Sequence, residues 1–228
     1  MREETLGGLR VRIVGEGDGP TVVLMHGFGA PGTDLVDLAS AIAAPVGTRF
    51  VFPEAPLAPR ELGGGRAWWM IDMMRLQLAL LTGQTRDLTK DEPEGLAPAR
   101  EAVIAMLDAL ETAIGMKRDR LVLGGFSQGA MLAVDVALRT ETPLAALVVM
   151  SGTYLAEDVW TPRMAARTGL SVVQSHGRED PILPFALAEK LRDAFTAAGL
   201  QVAWTPFAGG HGVPPGVLGE IGKLLARV

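Results

Sequence analysis

Residues 21–25, 121–123, 145–150 and 172–175 form short, almost unbroken apolar runs. A strand with one wet face alternates polar and apolar side chains; a strand apolar throughout must be covered on both faces. Longer stretches with helical spacing separate these runs. Pro98 opens one in which Val103, Leu107, Leu110 and Ile114 share a face, and Gly115 closes it as a C-cap. Pro184 opens another with Leu187, Leu191, Phe195 and Ala198 on one side, closed by Gly199. Residues 130–138 are apolar almost all round, as in a helix at the centre of a molecule. Val217, Leu218, Ile221, Leu224, Leu225 and Val228 make the stripe of a C-terminal helix. Strands that alternate with helices in this way predict an α/β fold, with a mostly parallel central sheet and helices on both faces.

Three further runs fit the same plan. Residues 9–14 alternate arginine with aliphatics and predict a half-exposed first strand, antiparallel to the rest. Residues 49–52, ended by Pro53, and residues 201–207 read as strands too. The chain of 228 residues, 48% hydrophobic, has no linker or repeat that would divide it, so a single domain over 1–228 is expected. Residues 53–97 break the rhythm with Gly63-Gly64-Gly65, Trp68-Trp69-Met70, Met73-Met74 and a polar loop from Arg86 to Gly95. An irregular stretch this long is usually functional or disordered, and its apolar content argues for a lid-like insertion.

Composition removes several classes of function. The absence of cysteine excludes disulfides, thiolate catalysis and cysteine–zinc sites. A net charge of −5 with interspersed signs gives no nucleic-acid footprint. No apolar run reaches membrane-spanning length, and the charged start Met1-Arg2-Glu3-Glu4-Thr5 has no apolar signal region behind it, so a soluble cytoplasmic protein is expected. The oligomeric state is left open, a homodimer included.

Chemistry concentrates at Gly125-Phe126-Ser127-Gln128-Gly129, between the strand at 121–123 and the helix at 130–138. A strand that turns into a helix at a serine, with glycine two residues to either side, is a nucleophile elbow. The hydroxyl lands at a helix N-terminus, where developing negative charge is favoured. Serine needs a base, and a neutral imidazole with a free pKa near ~6.5 suits it. The chain has three histidines, His26, His176 and His211, each at the end of a predicted strand, where open α/β sheets build their sites. His211, in a glycine-rich loop after the last strand, is the expected base. His26 and His176 read as structural. The imidazole needs a carboxylate. Asp180 and Glu179 both follow the strand at 172–175; Asp180, before Pro181, is biased towards an extended turn and is the better placed. Two backbone donors must hold the oxyanion: the N–H of Gln128 and, in the glycine-rich turn after residue 25, that of Phe28. Because these are backbone groups, replacing either side chain should cost less than losing a donor.

His26-Gly27-Phe28-Gly29, the stretch from Ala67 to Asp72, the elbow, the stretch from His176 to Pro184, and Gly210-His211 together resemble the phospholipase/carboxylesterase family of small α/β-hydrolases, which contains acyl-protein thioesterases and bacterial carboxylesterases. The resemblance spans nearly the whole chain. It implies an eight-stranded α/β-hydrolase fold, no cofactor and no metal, and hydrolysis of esters, thioesters or lysophospholipids as small-molecule acyl substrates. It assigns nucleophile, acid and base to Ser127, Asp180 and His211, which settles Asp180 over Glu179, and the oxyanion donors to Phe28 and Gln128. Trp68, Trp69, Met70 and Met73 are expected beside the substrate, with Met74 on the same deformable surface, although Trp69 and Met73 also keep the spacing of ordinary core. Ala30 stands where the family commonly has Asp, and Trp68-Trp69-Met70-Ile71-Asp72 departs from the family's Trp-Phe-Asp. An acyltransferase and a non-catalytic binding module on the same fold are the rival readings.

Overall fold

The computed structural model describes residues 1–82 and 87–228. In chain order the elements are β1 (Arg2–Leu6), β2 (Leu9–Val14), β3 (Thr21–Met25), α1 (Leu38–Ala41), β4 (Arg49–Pro53), α2 (Met73–Thr82), α3 (Leu96–Ile114), β5 (Leu121–Phe126), α4 (Gln128–Arg139), β6 (Ala146–Met150), α5 (Glu157–Met164), β7 (Ser171–Gly177), α6 (Phe185–Ala197), β8 (Gln201–Phe207) and α7 (Pro215–Leu225). The strands form an eight-stranded sheet in the order β1-β2-β4-β3-β5-β6-β7-β8. β1 and β2 run antiparallel and β2 meets β4 antiparallel; every other pairing is parallel. This is an α/β-hydrolase fold.

The both-face apolar runs are the central strands, and their alternate residues enter two cores. Val23, Met25, Leu121 and Leu123 pack with α3, α4, α5 and α6. Val22, Leu24, Val122 and Val148 pack with residues of α7 and the segment around α1. Helix α3 begins at Leu96, two residues before Pro98, and its C-cap Gly115 is left-handed as expected, with φ 62°.

Four elements escape the sequence pattern, among them the four-residue helix α1. β1 is a polar edge strand, mostly exposed, and carries no apolar run. α5 has Pro162 inside it and little apolar periodicity beyond the buried Trp160 and Met164. α2 lies in the 53–97 stretch; Arg86, the start of the polar loop expected there, lies outside the described residues. β2 also differs in detail. Arg10 is exposed as expected, whereas Arg12 is buried and donates to Glu3 and to the buried Glu54.

Helix α4 is buried along almost its whole length, yet it carries a carboxylate. Asp135 is inaccessible to solvent; its two oxygens accept Arg100 Nη1 at 2.7 Å and Trp160 Nε1 at 2.8 Å. These bonds join α3, α4 and α5 under the site. Breaking a buried pair strands the other charge, so Asp135→Ala should lower stability by about 3–5 kcal/mol in urea unfolding. A loss below about 1 kcal/mol would mean the pair behaves like a surface one.

Candidate active site

The site forms where parallel strands end. Ser127 follows β5 with φ 53° and ψ −116°, a strained conformation for a residue with a side chain. Its N–H donates to Met150 O at 2.9 Å, and its C=O accepts Ala130 N and Met131 N, so the turn is bonded on both sides. The flanking glycines are required by contact. A Cβ on Gly125 or on Gly129 would collide with the carbonyl oxygen of Met25, at the end of β3. β3 and β5 are neighbours, with Met25 opposite Gly125. The elbow therefore sits directly against the loop that follows β3.

That loop holds His26 and Phe28. His26 is buried; its Nδ1 lies 2.8 Å from Gly27 O and its Nε2 accepts the Ala55 N–H at 3.1 Å. These partners fix the Nδ1–H tautomer, and His26 holds loops together as the sequence predicts. The Phe28 N–H forms no hydrogen bond among the described residues. The Gln128 N–H is the first of α4, where no intrahelical acceptor exists.

On the far side two loops are zipped together. Arg178 N donates to Phe207 O at 2.9 Å and Glu179 N to Gly209 O at 3.0 Å. Gly177 has no Cβ to strike the carbonyls of Gly209 and Gly210. This brings Asp180, after β7, to His211, after β8: Nδ1 of His211 lies 2.6 Å from Oδ2 of Asp180. Glu179 makes no such bond. The His211 ring packs on Phe126, the residue before Ser127, with ring centroids 4.8 Å apart.

Asp180 is fully buried in its side chain. Burial alone would raise its pKa, but hydrogen bonds from His176, His211 and the Leu183 N–H outweigh it and hold the carboxyl well below the usual range. Oδ1 accepts the N–H groups of Ile182 and Leu183, both at 2.9 Å. His176, also fully buried, places Nε2 at 2.8 Å from Leu183 O and 3.3 Å from Asp180 Oδ2. Sequence reasoning treats His176 as a loop support and misses that one of its acceptors is the carboxylate; the four-residue spacing around Gly177 is the signal. It also misses Ser151, whose positive φ of 47° turns its Oγ to donate to Gly212 O at 3.0 Å and tether the His211 loop.

A cavity of about 440 Å³ opens at Ser127. Trp69 and Met70 line it, with Ile71, Met131 and Ile182. Trp68 is instead buried beneath, its indole N–H donating to His26 O at 2.9 Å. Met73 is 40% exposed, and neither it nor Met74 is among the residues lining the cavity.

Residues 9–228 match the model of the phospholipase/carboxylesterase family. The chain belongs to that family. Acyl-protein thioesterase 1 of Gibberella zeae is 27% identical over 219 residues, covering 91% of this chain and 89% of that protein. Acyl-protein thioesterase 1 of Neurospora crassa is 27% identical over 203 residues, 84% and 79% of the two chains. Among solved structures, esterase PE8 matches with a TM-score of 0.80 and 26% identity over 96% of this chain and 99% of that one. A carboxylesterase from Mesorhizobium loti shares the fold, with a TM-score of 0.76, at 18% identity over the full length of both. As a member of this family with acyl-protein thioesterase relatives, the protein is a hydrolase. No helix among the described residues is long and apolar enough to cross a membrane.

The buried His26 gives a pH test. Burial lowers its pKa, against a smaller upward pull from the bond to Gly27. In the unfolded chain an imidazole takes its proton near ~6.5; in the fold it does so only at lower pH. The stability contributed is therefore present above that point and lost as pH falls towards the folded value. The urea midpoint should drop between pH 7 and pH 5, and His26→Gln, which keeps one donor and one acceptor, should flatten the drop. An unchanged slope in the variant would exclude His26 as the cause.

Proposed function

We propose that the protein hydrolyses carboxylic esters or thioesters through an acyl-enzyme on Ser127. His211 takes the serine proton on Nε2, since Nδ1 is engaged by Asp180. Ser127 Oγ adds to the acyl carbonyl, and the N–H groups of Phe28 and Gln128 receive the oxyanion. His211 then delivers the proton to the departing alcohol or thiol. Water, deprotonated in turn by His211, releases the acid and restores the serine. The observation that carries this reading is the 2.6 Å bond from His211 to a buried, hydrogen-bonded carboxylate, with the imidazole packed on Phe126, the residue before a serine held at φ 53°. Asp180 fixes the tautomer and stabilises the imidazolium. His176, bonded to the same carboxylate oxygen, helps keep Asp180 ionised and still.

The cavity has an apolar side, formed by Trp69, Met70, Ile71, Met131 and Ile182, and a charged one with Asp72, Lys90, Asp91 and Glu92; the apolar side supports an acyl chain as the group held beside the nucleophile. Its volume is towards the small end for ligand sites. Met131, one helical turn beyond Ser127, forms part of its wall. Residues 65–69 take no part in any lid movement, because they are bonded to the loop after β3 and to Gln128.

Ser127→Ala should abolish hydrolysis of p-nitrophenyl esters and labelling by a fluorophosphonate; wild-type turnover in that variant would falsify the assignment. Asp180→Asn should lower kcat by roughly 10⁴ through the wrong imidazole tautomer. In a series of acyl lengths the optimum should lie above butyrate, and Met131→Phe should move it to shorter chains. An optimum at acetate, unmoved by that substitution, would remove the acyl chain from this cavity.

A further inference from the structure

The side chain of Gln128 has no part in the chemistry proposed above, yet it is completely buried and both of its polar ends are engaged. Oε1 accepts the Trp68 N–H at 2.9 Å, and Nε2 donates to Trp69 O at 2.9 Å. Two consecutive backbone groups of the 53–97 segment are thus gripped by one amide at the first residue of α4. The same segment is bonded at its other end to the loop after β3. Gly29 N donates to Arg66 O at 2.8 Å, Arg66 N to Ala30 O at 3.0 Å, and the Trp68 indole to His26 O. Gly65 lies so close to Gly29 that a Cβ would strike its carbonyl oxygen. Arg66 is further anchored to the buried Glu54 at 2.6 Å, which also pairs with Arg12.

Residues 65–69 therefore form a strap between two loops that also touch at the elbow glycines and at Gly27. One loop carries the Phe28 N–H and the other begins with the Gln128 N–H. An oxyanion hole works because its donors are fixed before the charge develops, at a separation matched to one oxygen. Strand pairing brings the two loops side by side, but the Phe28 and Gln128 amides lie beyond the last paired residues, Met25 and Gly125, and the strap ties the loops there.

We infer that the Gln128 side chain is a positioning group: by clamping Trp68 and Trp69 it sets the spacing between the two oxyanion amides. The inference rests on the proposed acyl-enzyme reading. No side chain other than glutamine would serve as well here. The site demands one acceptor and one donor on a planar group, presented to an N–H and a C=O of successive residues. Glutamate lacks the donor, and methionine, of similar volume, lacks both.

A clamp of this kind acts on the transition state more than on the substrate. Misplacing a catalytic group by about an ångström can cost on the order of 10²-fold in rate. Gln128→Met should lower kcat by about 10- to 100-fold while KM changes by less than about threefold. Affinity for a trifluoromethyl ketone, whose adduct with Ser127 places an anionic oxygen in the hole, should fall by a similar factor. Gln128→Glu should lose as much, because a bond to Trp69 O cannot form. Rates are to be expressed per active site, counted by fluorophosphonate titration. Loss of titratable sites with unchanged kcat per site would show a merely structural role and overturn the inference. So would a fall in kcat with trifluoromethyl ketone affinity intact.

Should Gln128→Met fail to fold, Trp68→Phe carries the test. It leaves both Gln128 bonds in place and removes the indole bond to His26 O at the strap's other end, together with part of a buried ring. A lowered kcat at constant KM supports the strap, and an unchanged kcat overturns it. The controls separate the two readings. If Ser127→Ala is inactive while Gln128→Met and Trp68→Phe keep wild-type kcat, the acyl-enzyme reading stands and the clamp falls. If Ser127→Ala stays active, the acyl-enzyme reading itself fails.

Discussion

The contact on which the site depends is between backbones. At the ends of two neighbouring parallel strands, Gly125 and Gly129 lie against the carbonyl of Met25 with no room for a side chain. That approach puts the serine turn and the loop after β3 side by side. It also forces Ser127 into a conformation that exposes its hydroxyl. The cost of the strained φ is carried by bonds that the turn makes to β6 and to the first turn of α4. A sheet of both-face apolar strands supplies the rigidity, because close-packed interiors do not deform by small steps. Each catalytic group in the proposed reading then comes from a loop at the same edge of that sheet, and none needs a long, mobile connection.

The second principle of the site is that each of its buried carboxylates holds several partners. Asp180 accepts two backbone N–H groups as well as two imidazoles, Asp135 is held by Arg100 and Trp160, and Glu54 is held by Arg12 and Arg66. Each carboxylate ties together elements far apart in sequence. A buried anion left with one partner would gain a proton or pull in water, whereas one with several stays charged and fixed. For Asp180 this matters directly, since an ionised acid is what a histidine base requires.

Sequence reasoning reaches the sheet and the serine elbow because both are local, whereas the choice of Asp180 over Glu179 is settled only by the family resemblance. A strand apolar on both faces is visible in five residues, and the elbow is visible in its glycines. β1 is not visible, because an edge strand paired on one side can be as polar as Arg2-Glu3-Glu4-Thr5. α5 is hidden by Pro162 and weak periodicity; its place is set by Trp160 packing on α4, a tertiary fact. Arg12 reads as exposed because its partner Glu54 is 42 residues away. Gln128 is the sharpest case. Its main chain is legible as an oxyanion donor from position alone, but its side chain acts on Trp68, 60 residues earlier. A pattern within one segment carries no trace of such a bond.

The strap also explains how the chain can depart from its family at the pocket without disturbing the chemistry. The departures fall at Ala30 and in the stretch from Trp68 to Asp72. Ala30 engages the strap through its carbonyl, so its side chain is not what the contact needs. Trp68 and Trp69 meet Gln128 through a backbone N–H and a backbone C=O, which every non-proline residue has. Met70 and Ile71 lie beyond the clamp and face the cavity. Substitutions at Met70 and Ile71 would reshape the wall proposed to face an acyl chain, while the amides proposed to hold the oxyanion remain tied through main-chain groups, the Trp68 indole and one glutamine. Substrate preference and transition-state geometry are thereby assigned to separate atoms of the same segment, so the first can drift while the second is kept.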